Sequence, residues 1–194
     1  MTAVNLWTTA TAACLLTDQA CLSGDKLAVA WSKVVIDQRL QMAIARNGSV
    51  TVMTRQIIYD WYKSRRDQAD AMGDIGRLLE IIRADAARNG GHEEPNPANL
   101  FIALWLADVN KPDAYYMDGK LVSVFHCEAP PSATTLPTEI KKPWLIKRIE
   151  DQRRQQQGVC NIGGAAELTV VTATGITSEI IHRWPDRIGE PITP

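Results

Sequence analysis

The 194-residue sequence is short of net charge: 21 Lys and Arg stand against 22 Asp and Glu, leaving −1 at neutral pH. A chain with neither sign in excess carries no global electrostatic footprint for nucleic acid or an anionic membrane, so neither is an expected partner. Histidine is scarce. His92, His126 and His182 show no metal-ligand spacing and none adjoins a cysteine pair, so no metal site and no cofactor are expected. The four cysteines, Cys14, Cys21, Cys127 and Cys160, form no C-x-x-C pair and lie mostly in apolar surroundings. They read as reduced, buried thiols, which implies a reducing cytoplasm. No apolar run approaches the roughly 18 residues that span a bilayer. The uncharged start, Met1 to Leu16, lacks the basic lead-in of a secretory signal. No internal repeat is present, and the only low-complexity stretch is Gln155-Gln156-Gln157.

What is present suits one globular domain: 45% hydrophobic residues in a chain of this length build one well-buried core. Val4 to Thr9 and Thr11 to Thr17 are β-branched or apolar runs that read as strands buried on both faces. After Ser23-Gly24-Asp25, Leu27 to Ile36 and Leu40 to Ala45 read as a further strand pair, closed by the Asn47-Gly48 turn signal. Met53, Ile57 and Trp61 draw one helical stripe. Ile75, Leu78, Leu79, Ile82 and Ala86 draw a second, with Asp74 as its N-cap. Leu100 to Ala107 has the length of a central strand, and Asp118-Gly119 marks a hairpin. Pro143 to Gln157 reads as a third helix, and Glu167 to Ala173 with Ile176 to Ile181 as two last strands. The domain is therefore expected over residues 1–183, with 184–194 a Pro-rich surface tail. Strands adjacent in sequence and helices in blocks imply antiparallel pairing and an α+β fold, with helices over the outer faces of two stacked sheets.

Thr2 follows Met1 directly. Methionine trimming would leave a residue with both a hydroxyl and a free α-amine, whose reference pKa of about 7.7 to 8.0 lets it accept the hydroxyl proton near neutrality. A retained Met1 would leave Thr2 without that amine. Asp18 ends the second apolar run, and Lys33 heads Lys33-Val34-Val35-Ile36. One hydroxyl, one carboxylate and one ammonium are thus spaced along strand-like sequence.

In this order and spacing the chain resembles the proteasome-β branch of the N-terminal-nucleophile hydrolases. The separation of Thr2 and Asp18 is similar to that of the family's threonine and its acidic partner. Lys33 resembles the family lysine, one residue early. Ala45-Arg46-Asn47-Gly48 resembles the turn whose backbone N–H forms the oxyanion hole, and Gly163-Gly164 resembles a Gly-Gly ahead of the late strands. The resemblance implies a four-layer αββα sandwich, a peptide or amide substrate, and self-assembly into homo-oligomers. It further implies Thr2 as nucleophile, Lys33 as positive charge, Asp18 as its orienting partner, the Arg46 N–H as oxyanion donor and Ser132 as a hydroxyl near the active amine.

The sequence departs from that pattern in three places. Arg46 stands where the turn has glycine, which sets a large side chain at the pocket's rim. Val159, Cys160, Asn161 and Ile162 replace the acid and serine ahead of the Gly-Gly, and Pro130-Pro131-Ser132 replaces a small, serine-containing segment. Two functions therefore stay open: a threonine amidohydrolase, and a catalytically silent packing or assembly module, of which a phage virion or tail component is one form. Asp18 and Lys33 could also pair for structure alone. The cluster of Lys141, Lys142, Lys147, Arg148, Arg153 and Arg154, interleaved with Glu139, Glu150 and Asp151, reads as a solvated helix face. The six tryptophans read as core or interface.

Overall fold

The computed structural model describes residues 3–47, 52–89, 99–118, 120–124, 126–129, 139–156 and 160–193. Thr2, Gly48 and Ser132 lie outside them. The described residues form twelve strands and three α-helices. The first five-stranded sheet has the order β10-β1-β2-β11-β12, from β1 (Val4–Thr8), β2 (Ala13–Asp18), β10 (His126–Ala129), β11 (Ala165–Thr172) and β12 (Gly175–Arg183). The second runs β5-β6-β7-β8-β9, from β5 (Val34–Asp37), β6 (Met42–Arg46), β7 (Leu100–Leu106), β8 (Lys111–Met117) and β9 (Leu121–Ser123). All ladders are antiparallel.

The expected four-layer αββα sandwich of two sheets requires correction. A third sheet, the hairpin of β3 (Ala20–Ser23) and β4 (Lys26–Ala30), stands apart with its own small core of Ala20, Leu27, Cys160 and Ile192. Helical cover is also uneven. The helices α1 (Val52–Lys63) and α2 (Gln68–Asn89) pack Ile58, Trp61, Ile75, Leu78 and Ile82 against Met42, Ile44, Ile102 and Leu104 of the second sheet. The first sheet carries one helix, α3 (Lys142–Arg154), which brings only Leu145 and Ile149 to a cluster with Trp7, Cys14, Leu16 and Leu168. At about 1.5–3 kcal/mol for each fully buried aliphatic side chain, α3 gains far less from apolar burial than α1 and α2 do.

Alternation within the strands explains the layering. Along β1, Val4 and Leu6 join the cluster shared with Val34, Ala43, Ala45, Phe101 and Ala103 of the second sheet, whereas Ala3 and Trp7 face α3. The sequence predicts one strand from Leu27 to Ile36, and this run instead divides between two sheets. Trp31 donates its backbone N–H to the Gln19 carbonyl (3.0 Å), and the Ser32 hydroxyl accepts the Val34 N–H (3.2 Å), so residues 31–33 leave the hairpin and lead into β5. The helix predicted to start at Asp74 begins earlier, at Gln68. Asp67 is the cap, its Oδ1 accepting the Asp70 N–H at 2.8 Å, while Asp74 accepts the Trp61 indole N–H at 2.9 Å.

Candidate active site

The site is built where β2 ends and β5 begins. Asp18 is the last residue of β2 and has no solvent exposure; Lys33, just before β5, is 1% exposed. Lys33 Nζ lies 2.9 Å from Asp18 Oδ2. The same carboxylate accepts three backbone N–H groups: Ala3 on Oδ1 (2.8 Å), and Ala20 (3.0 Å) and Gly163 (3.4 Å) on Oδ2. The backbone N–H of Asp18 donates in return to the Ala3 carbonyl (3.3 Å). A buried carboxylate is tolerated only when charge and lone pairs are met, and here an ammonium and three amides meet them.

Asp18 thereby does two things at once. It fixes the ammonium of Lys33, and it fixes Ala3, the residue joined by one peptide bond to Thr2. The first described residue of the chain is thus held by the group that also holds the buried cation.

The structure brings Asp18 and Lys33 together. Arg46 ends β6, and the β5–β6 ladder closes at Val34 opposite Ala45, one residue short of both Lys33 and Arg46. The Arg46 side chain is buried, and its Nη1 donates to the Thr54 hydroxyl on α1 (3.2 Å). Burial lowers the proton affinity of this guanidinium, opposed by the nearby Asp85 carboxylate. The long side chain is accordingly turned toward the helical layer, on the β6 face shared with Met42 and Ile44.

Three groups escaped the reading of the sequence. The Thr17 hydroxyl, fully buried one residue before Asp18, has no hydrogen-bond partner among the described residues. Glu167, opposite Thr17 in the β2–β11 ladder, is buried and accepts from Gln19 Nε2 (3.0 Å) and Ser178 Oγ (2.7 Å). Cys21 lies close enough to the pair for its charges to be felt: burial raises the thiol pKa, Lys33 pulls it down and Asp18 pushes it up. Only period-two alternation along β2 and β11 could have flagged Thr17 and Glu167, by placing polar residues at inward positions.

The supposed solvated face of α3 is also corrected. Arg148 and Arg153 are buried. Arg148 pairs with Glu128 and donates Nε to Asn5 Oδ1 (2.8 Å), and burial lowers its pKa to about 10. Asn5 also exchanges hydrogen bonds with Gln152, at 2.8 and 3.1 Å. A helix with little apolar area is thus held by a buried polar network to the strand that carries the chain's first residues.

Solved structures with a similar fold include the following two. One is an Anbu (Gly-1) mutant from Hyphomicrobium sp. strain MC1, with a TM-score of 0.70 over 94% of this chain and 88% of that one, at 8% identity. The other is Anbu (ancestral beta-subunit) from Yersinia bercovieri, with a TM-score of 0.66 over 94% of this chain and 87% of that one, at 10% identity. The fold is proteasome-like. No protein-family model and no curated protein matches the chain. At this identity the likeness is one of fold alone, and the place among N-terminal-nucleophile hydrolases implied by motif order is corrected to that extent. Among the described residues, no helix is long and apolar enough to cross a membrane.

Proposed function

We propose that this chain hydrolyses a peptide or amide bond with Thr2 as nucleophile, once Met1 has been removed. The observation that supports it is the grip of Asp18 on both the Ala3 N–H and the Lys33 ammonium, at 2.8 and 2.9 Å. That grip pre-positions the residue next to Thr2 beside a fixed positive charge.

The chemistry follows from the groups. The Thr2 α-amine accepts the hydroxyl proton as Oγ attacks the carbonyl carbon. Lys33 favours the forming alkoxide electrostatically, and Asp18 keeps Lys33 oriented. The backbone N–H of Arg46 donates to the oxyanion, a contribution of about 2.7–4 kcal/mol in comparable sites. The protonated amine then gives its proton to the leaving amine, and water releases the acyl group from Oγ. Ser132 would serve as a hydroxyl beside the amine. Self-association into homo-oligomers belongs to the same proposal, supported by a neighbour of this fold that is described as a beta-subunit.

A second reading, a silent assembly module, is favoured by one feature: Asp18 and Lys33 satisfy each other at 0 and 1% exposure and need no substrate to be stable. Intact mass and hydrolysis separate the two. Loss of one methionine, with cleavage of fluorogenic peptides abolished by Thr2→Ala, supports the hydrolase. Complete retention of Met1, with no cleavage, supports the silent module, and cleavage that survives Thr2→Ala removes Thr2 as the nucleophile.

A further inference from the structure

Residues 184–193 do not trail from the domain. Trp184 donates its N–H to the Gly164 carbonyl (3.2 Å), Leu27 donates to the Glu190 carbonyl (2.9 Å), and Gly189 donates to the Leu27 carbonyl (2.8 Å). Ile192 is buried with Ala20, Leu27 and Cys160. The segment therefore crosses the β3–β4 hairpin and returns to the turn at Gly163-Gly164.

Asp186 is the fastening point. Its side chain is 4% exposed, and its two oxygens take the Arg153 guanidinium in a fork at 2.8 and 2.6 Å. Oδ2 also accepts the Gly164 N–H at 2.8 Å. Arg153 in turn stacks over the Trp184 ring, 5.0 Å from its centroid, and donates to the Thr193 carbonyl. The approach is so close that a Cβ at Gly163 would fall 2.4 Å from Asp186 Oδ2, and Gly164 adopts a left-handed φ of +73°. One residue from this clamp, Gly163 donates its N–H to Asp18 and its carbonyl accepts the Gln19 N–H (3.3 Å).

We propose that Asp186 and Arg153 are positioning residues for the candidate active site: the carboxyl-terminal segment acts as a strap that sets the Gly163-Gly164 turn, and through it Asp18. This inference rests on the reading of Thr2 as nucleophile for its catalytic consequence, but not for its structural one. A bidentate guanidinium–carboxylate contact fixes direction as well as distance, so the turn beneath it has little freedom to drift from Asp18. Displacement of about 1 Å at a positioning group costs on the order of a hundredfold in rate, without a comparable change in substrate binding.

The test uses the full chain with Asp186→Ala and the milder Arg153→Lys, read by amide hydrogen exchange and by steady-state hydrolysis of the fluorogenic peptide that the parent chain cleaves best. The expected result is exchange at Gly163 and Ala3 accelerated at least about tenfold over Leu168 and Thr169 of β11, with kcat reduced about tenfold or more and KM unchanged. Arg153→Lys should show the same pattern at smaller amplitude, and it carries the test if Asp186→Ala does not fold. Wild-type exchange at Gly163 and Ala3 in a folded variant would overturn the strap, and so would uniform acceleration of all amides. A parent chain with free Thr2 that cleaves nothing would defeat the hydrolase reading alone, because the exchange result still decides the strap.

Discussion

Two of the buried ionic clusters are anchored on strands of the first sheet, and they differ in what they hold. The Asp18–Lys33 pair is bound chiefly to backbone: three amides, from Ala3, Ala20 and Gly163, converge on one carboxylate. The Arg148 network beneath α3 is bound side chain to side chain, through Asn5, Gln152 and Glu128. Both satisfy buried charge. The first fixes the path of the chain where it begins, whereas the second fixes a polar helix onto a strand. Backbone capture is what a reaction centre at a chain terminus needs, because the nucleophile's own amine must be placed. Side-chain capture adds attachment where apolar area is small.

That contrast can be broken from either side. The largest effect is expected at Asp18→Ala, which takes the carboxylate from a buried ammonium and releases Ala3; it should destabilise the fold by about 3–5 kcal/mol in urea titration and abolish hydrolysis. Arg148→Met should cost about 2–3 kcal/mol through the lost charged hydrogen bonds to Asn5 and the lost pairing with Glu128, yet leave kcat/KM within about twofold, since Asp18 and Lys33 are held by each other and by backbone amides. Equal loss of activity in both variants would erase the distinction. Thr54→Val removes an acceptor from the Arg46 guanidinium and should cost about 1 kcal/mol, with hydrolysis retained because only the Arg46 backbone is assigned to the reaction.

The effect that vanishes at neutral pH is a pH dependence. Burial raises the Cys14 thiol from 9.0 to about 12, favouring its neutral form in the folded state. Between these values the unfolded chain releases the proton and the folded chain keeps it, so the contribution of Cys14 is full below pH 9 and declines as pH rises toward 12. Cys14→Ala should therefore flatten the alkaline limb of the stability curve and leave its neutral part parallel to that of the parent chain.

Local pattern made much of this legible. The strands at Val4, Ala13 and Leu100, the stripes of α1 and α2, and the helix near Pro143 follow period and apolar runs, which act within a few residues. The pairing of Asp18 with Lys33, 15 positions apart, is one that the resemblance in motif order implies, with a buried acid and base pairing for structure alone as the other reading. Three features were not legible, each for a physical reason. The run from Leu27 to Ile36 is apolar except for Ser32 and Lys33, and its division depends on contacts of Trp31 and Lys33 with Gln19 and Asp18 that no local preference encodes. Arg148 and Arg153 look like surface residues on charge alone, because Asn5, Glu128 and Asp186 reach them only through tertiary structure. The span 184–194, with its prolines, reads as a tail, and its anchorage depends on Asp186 meeting an arginine 33 residues away.

The central claim is that Thr2 reacts because Asp18 places it. The most direct measurement is peptide mapping by mass spectrometry after incubation with a peptide aldehyde or vinyl sulfone, applied to the parent chain and to Asp18→Asn. The account predicts a stoichiometric adduct on a Thr2 freed of Met1 and a rate of formation reduced at least about a hundredfold in Asp18→Asn. An adduct on another residue, or one that forms equally fast without the Asp18 carboxylate, would contradict it.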